Sequence, residues 1–159
     1  MSFLRFLILL SLIVWVGGLI FFPLVAATSF SVLPTTYLAG QVVRRSLLIL
    51  HWMGLVSGVV FLVSSMLYDR LRSGRAHVFA AVHLLVCGML ALTLVSQFGI
   101  IPRMDTLRAS VAEIGSLPAD NPVHMQFDAL HAWSTRVEEG VMILGLTVTY
   151  LVARQWKAG

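Results

Sequence analysis

Residues 46–67 read SLLILHWMGLVSGVVFLVSSML, without one Asp, Glu, Lys or Arg. A helix of about 20 such residues crosses a hydrocarbon layer some 30 Å thick, whereas a helix of a soluble domain keeps a polar stripe for water. Arg44 and Arg45 stand before this stretch, and Arg70 and Arg72 stand shortly after it, as cations do where a span meets its interfaces. Working outward, a second apolar run precedes it at 3–27, a third follows at 76–100, and a fourth segment at 122–155 is apolar from about Trp133 to Ala153. The four runs predict an all-α integral membrane protein: one domain over residues 1–159, with four transmembrane helices in a bundle.

Composition points the same way. Of 159 residues 58% are hydrophobic and 11% charged, with a mean hydropathy of +0.92, where a soluble domain has about 45–50% apolar and about 25% charged residues. The 11 Lys and Arg exceed the 7 Asp and Glu by four, the usual surplus beside membrane helices rather than a nucleic-acid footprint. Lipid is therefore the expected partner, and nucleic acid is not. The single cysteine, Cys87, excludes a disulfide within the chain and a cysteine-only metal site. The first run starts as a secretory signal does, with Arg5 ahead of apolar residues and Ala26-Ala27 behind, but its length makes it a retained span that tolerates Pro23.

With four spans the termini share a side. Arg5, Arg70, Arg72, Arg75, Arg154 and Lys157 fall on the side of the termini, while Arg44, Arg45, Arg103, Arg108 and Arg136 fall on the other, together with Asp105, Glu113, Asp120 and Asp128. This bias places both termini in the cytoplasm of a cell inner membrane. Thr28–Arg45, with Pro34 and Gly40, reads as a connection holding at most a helical turn. In the connection after the third span, Pro102 is expected to stop that helix. Met104, Leu107, Val111 and Ile114 then predict a short amphipathic helix ended by Gly115 and Pro118. Asn121-Pro122 reads as an N-cap with proline in first helical position, so the fourth helix would be about 50 Å long, its first turns outside the lipid.

Polar residues collect on that fourth helix. At 100° per residue His124, Asp128, His131, Thr135, Glu138, Glu139 and Met142 share a face, which is expected to turn into the bundle. Trp133, Val137, Val141, Leu144, Val148 and Leu151 are expected to face lipid. Ionisable residues at membrane depth face a partner or a wet cavity, which singles out Glu138 and Glu139. The plain alternative is an Arg136–Glu139 pair one turn apart.

His124, Asp128 and His131 carry donors suited to zinc, copper or iron. The two histidines stand about 10 Å apart along the axis, however, so a metal would take one adjacent pair plus a ligand from another helix. His51, two turns inside Arg44, is the possible partner of His131, as a second haem ligand or in a proton relay. Its plain reading is a neutral histidine bonded to a neighbouring helix. Gly54 and Gly58 continue its face as a small-xxx-small pair that lets helices approach. Gln97, at the outer end of the third span, completes an expected outer-side polar cluster of His51, Gln97, Arg103, Asp128, His131, Glu138 and Glu139, with Arg103 turned inward to Asp128 or Glu139. His83 and Cys87 lie at a different depth.

Trp15-Val-Gly-Gly and Phe21-Phe22 in the first span, Ala39-Gly40, His51, Gln97-Phe-Gly-Ile-Ile-Pro102-Arg103-Met104 and Phe127-x3-His131-x2-Ser134 together resemble the transmembrane protein 205-like family, in particular its small bacterial branch. The resemblance covers nearly the whole chain and implies a four-helix integral membrane protein. Animal members of that family are linked to platinum-drug resistance and secretory trafficking. Glu138 departs from the family pattern, which carries an asparagine there, and a carboxylate at this point brings proton coupling, a cation site or a pair with Arg136 within reach.

Two functional classes follow. The first is a non-enzymatic membrane subunit or small carrier without a cofactor, acting as a homo-oligomer or within a larger complex, because four helices are few for a pathway. The second is a redox protein holding haem or a transition metal at His51 and His131. Ser134 near His131 lacks a nucleophile elbow and oxyanion donors, so a hydrolase is disfavoured.

Overall fold

A computed structural model describes residues 1–75, 80–111 and 113–157. The described chain is helical: α1 (Ser2–Val32), α2 (Thr36–Ser73), α3 (Ala81–Val95), α4 (Ile101–Ala109) and α5 (Pro122–Lys157). Three helical stretches, Ser2–Val32, Thr36–Ser73 and Ala81–Ala109, are long and apolar enough to cross a membrane. α5 is not one of these three; its first half carries Asp128, Arg136, Glu138 and Glu139. Residues 76–79 of the expected third span lie outside the described residues.

α1 and α2 are longer than the apolar runs, because the connection expected at Thr28–Arg45 shrinks to three residues around Pro34. Thr35 caps α2, its hydroxyl accepting from the Leu38 N–H at 3.2 Å, which satisfies one of the free donors at a helix start. The 38 residues of α2 reach about 57 Å. At its far end Gly74 takes a left-handed conformation, φ 72°, and closes the helix with a bond to the Arg70 carbonyl. Arg5 donates from Nε and Nη2 to the Tyr68 hydroxyl, 2.9 and 2.6 Å, tying the start of α1 to the end of α2. At the other end Asn121 caps α5 as its sequence suggests, Oδ1 accepting from the Val123 N–H at 2.9 Å.

The third helix does not stop at Pro102. One wide π-turn at Ser96–Ile100, in which the Ile101 N–H reaches back to the Ser96 carbonyl, joins α3 to α4. Proline lacks an N–H and crowds the preceding turn, so it is accommodated two residues beyond this loosened stretch, at the start of α4. The expected separate amphipathic helix is thus the end of the α3–α4 rod, followed by a 3-10 turn at Ile114–Ser116.

The core is a seam of four long helices: Ile8, Leu12, Trp15 and Leu19 from α1, Leu50, Phe61 and Tyr68 from α2, Val82, Val86 and Met89 from α3, and Val141, Val148 and Val152 from α5. Trp15 lies in the notch of Gly54 and Gly58, where a Cβ would collide with its ring. The apolar row of α5, expected to face lipid, packs into the seam. Val141 and Val148 are fully buried, with Val137, Leu144 and Leu151 packed beside them, while Trp133 alone of that set stays exposed. On α2 the face away from the seam is apolar as well: Ile49, Val56 and Val63 are about 60% exposed, as suits a helix whose outer solvent is hydrocarbon.

Candidate functional site: a buried histidine beside a charged cavity

His51 is the most buried polar side chain able to titrate, 1% exposed. It sits on the inner face of α2 and touches two other helical segments. Its Nδ1–H donates to Gln97 Oε1 at 2.8 Å, and its Nε2 lies 2.6 Å from Glu138 Oε1. The amide oxygen can only accept, so the ring hydrogen on Nδ1 is fixed and one further proton is shared between Nε2 and the Glu138 carboxyl. Whether imidazolium faces carboxylate or imidazole faces carboxylic acid, the pair is neutral as a whole, the condition under which two ionisable groups tolerate burial. The π-turn holds Gln97 in position. Inside the same turn the Ser96 hydroxyl is buried and has no hydrogen-bond partner among the described residues.

Glu138 also lines a cavity of about 700 Å³. One wall is apolar and comes from α1: Leu19, Phe22, Pro23, Ala26 and Phe30. The polar face of α5 lines it as well, with His124, Phe127, Asp128, His131, Ser134, Thr135, Glu138, Glu139 and Met142, as do Arg44 of α2 and Arg108 of α4. Asp105 bridges those two arginines, bidentate to Arg44 through Nε and Nη2 and 3.3 Å from Arg108 Nη1. The Arg108 guanidinium lies over the Phe127 ring, 4.9 Å from its centroid, and the Phe127 ring is parallel to that of His131, centroids 6.4 Å apart. Removing the bridging carboxylate leaves two guanidiniums side by side. Asp105→Ala should cost about 1–3 kcal/mol in thermal unfolding of the detergent-solubilised protein, and a melting curve indistinguishable from wild type would show that the bridge does not hold α4 to α2.

His51, Gln97 and Glu138 of the expected cluster come together in direct contact, and Asp128, His131 and Glu139 line the adjoining cavity. Arg103 does not join them. It is exposed, and among the described residues no ion pair links it to Asp128 or Glu139, because the helix runs on past Pro102 and carries Asp105 and Arg108 inward instead. Nor does Arg136 pair with Glu139; its guanidinium lies over Trp133, 5.5 Å from the ring centroid. The expected metal donors His124, Asp128 and His131 all line the cavity from α5. His124 bonds through Nδ1 to the Leu117 carbonyl at 3.0 Å and lies 3.5 Å from Asp128, while His131 stacks on Phe127. Among the described residues no three of His, Cys, Asp and Glu are grouped to hold a metal ion.

Both ring nitrogens of His51 are engaged, by Gln97 and Glu138, while His131 lines the adjoining cavity. His83, set apart by depth, is hydrogen-bonded to Ser65 Oγ at 2.8 Å and is buried away from this site. Cys87 is exposed. The Arg44–Asp105–Arg108 cluster was the element that sequence reading missed. Its signal was the seven-residue spacing of Arg44 from His51, two helical turns along one face of α2.

Fold and site together define an all-helical protein with three apolar helices able to span a membrane and a buried histidine held between α2, the π-turn and α5. Residues 10–113 match the family model described as Domain of unknown function (DUF4149), and the chain belongs to that family. The match takes in His51, Gln97 and the arginine cluster and ends ahead of α5. No curated protein and no solved structure matches the chain.

Proposed function

We propose that this is a small four-span protein of a bacterial inner membrane, of the transmembrane protein 205-like kind, with both termini cytoplasmic. It works without covalent catalysis, as a proton-linked carrier assembled from more than one copy. The fourth span is α5, whose 36 residues amount to about 54 Å of helix and whose Val141 and Val148 lie in the same seam as α1 and α3. Four helices are few for a transport pathway, so the homo-oligomer supplies the rest.

The observation that carries the reading is the Gln97–His51–Glu138 chain opening on the cavity. A carrier driven by protons needs a titratable group at membrane depth that is shielded on one side and meets the transported species on the other. Glu138 answers that description: His51 holds one carboxylate oxygen, and the side chain is 14% exposed, at the cavity.

The test is charge movement. Protein reconstituted in vesicles on a solid-supported membrane and stepped from pH 8 to pH 6 should give a transient current that is lost in Glu138→Gln and retained in His83→Ala. A wild-type protein that moves no charge on the pH step would overturn the carrier and leave a membrane subunit.

A further inference from the structure

The cavity has a sign. Four carboxylates line it, Glu113, Asp128, Glu138 and Glu139, against two guanidiniums, Arg44 and Arg108. The Glu138–His51 pair is neutral as a whole and those guanidiniums already share Asp105, so the three other carboxylates leave negative charge in excess and the field favours a cation. Three of the four carboxylates are spoken for. Glu138 is on His51, Asp128 faces His124, and Glu113 accepts from the Thr36 hydroxyl at 3.4 Å. Glu139 has no hydrogen bond or ion pair among the described residues, although it lines the cavity beside Glu138.

The α1 lining of the same cavity is Leu19, Phe22, Ala26 and Phe30. Aliphatic and aromatic side chains there favour a large, weakly hydrated body, and the faces of aromatic rings add attraction for positive charge. A small hydrated ion makes no use of that apolar lining, whereas a delocalised charge carried on apolar groups gains by burying them against it. The volume, about 700 Å³, is that of a pocket for a drug-sized molecule. We infer that this cavity binds a lipophilic cation, its charge held by Glu139 and its apolar body laid against the α1 wall. The assignment names the substrate class for the carrier reading above and rests on that reading for transport, not for binding.

Two ions of the same shape and opposite charge test it. The full chain, purified in detergent, is titrated calorimetrically with tetraphenylphosphonium and with tetraphenylborate, and the titrations are repeated on Glu139→Gln, so that partition into micelles cancels. Tetraphenylphosphonium should bind saturably and tighter than tetraphenylborate, and Glu139→Gln should weaken it by about tenfold, the factor that ~1.4 kcal/mol makes in a dissociation constant. If Glu139→Gln fails to fold, Phe22→Ala supplies the comparison from the α1 lining, with weaker binding of the cation expected.

Equal binding of both ions, or a cation affinity unmoved by both substitutions, overturns the inference, and preferential binding of tetraphenylborate reassigns the cavity to anionic amphiphiles held by Arg44 and Arg108. The titration needs no gradient. Cation binding without charge movement on a pH step therefore keeps this inference and removes the carrier, while charge movement without cation binding does the reverse.

Discussion

Replacing His51 by leucine should destabilise the protein by about 3 kcal/mol or more, the penalty for removing one partner of a buried polar pair. Leucine fills a similar volume at a site that is 1% exposed, so the loss is electrostatic and not a cavity. It leaves the Gln97 oxygen without its donor and the Glu138 carboxyl without its shared proton, at side chains 9% and 14% exposed. Glu138→Gln is the contrasting variant. Its amide can donate to a neutral Nε2, so the chain of hydrogen bonds survives and the cost should stay within about 1 kcal/mol. Unfolding of both variants in detergent, followed by circular dichroism, decides the matter, and a His51→Leu protein as stable as Glu138→Gln would show that the chain does not hold α2, α3 and α5 together.

The second large effect is expected at Gly54. A Cβ built there meets the Trp15 ring, with Cε2 at 2.8 Å and Cδ1 at 2.9 Å. Trp15 is itself 3% exposed and has no room to withdraw without opening the α1–α2 seam. Gly54→Val should therefore cost about 3 kcal/mol or more, read as a lowered melting temperature and a reduced yield of monodisperse protein. Gly17, three residues before Ile20 on the same α1, is the control: a Cβ there meets nothing within 4 Å, and Gly17→Ala should stay within about 0.5 kcal/mol of wild type. Similar melting of the two variants would falsify the notch as the element that sets the spacing of the first two helices.

Much of this arrangement is legible in the sequence. The absence of charge from 46–67 gives a membrane helix, and the positions of Gly54 and Gly58 one turn apart mark where a neighbour approaches. His51 and Gln97 could be matched because both lie near the same end of apolar runs. The apolar row of α5 is the part that the sequence assigns to the wrong surroundings, for a physical reason. In water an apolar row means burial, but in lipid both the core and the surroundings are apolar, so periodicity separates polar from apolar and says nothing about which apolar row packs. Val141 and Val148 went into the seam, and the polar row opened on a cavity instead of filling the centre. Helix ends failed similarly. Hydropathy marks where lipid ends, whereas α2 continues to Thr36, two turns beyond Arg44, because a capping threonine and tertiary contacts keep it wound.

The π-turn at Ser96–Ile100 acts as a vernier between two rods. Antiparallel helices in contact normally count residues at the same pace, yet from His51 back to Arg44 is seven residues, while from Gln97 on to Asp105, their respective partners, is eight. Seven residues of α-helix return to nearly the same bearing, and an eighth carries the side chain about 80° further round. The widened turn absorbs that extra residue, so the neutral buried chain and the charged cluster both face α2. Shortened by one residue, the rod would keep step with α2 at one of these contacts and lose it at the other, and the buried proton would be uncoupled from the ionic latch two turns above it.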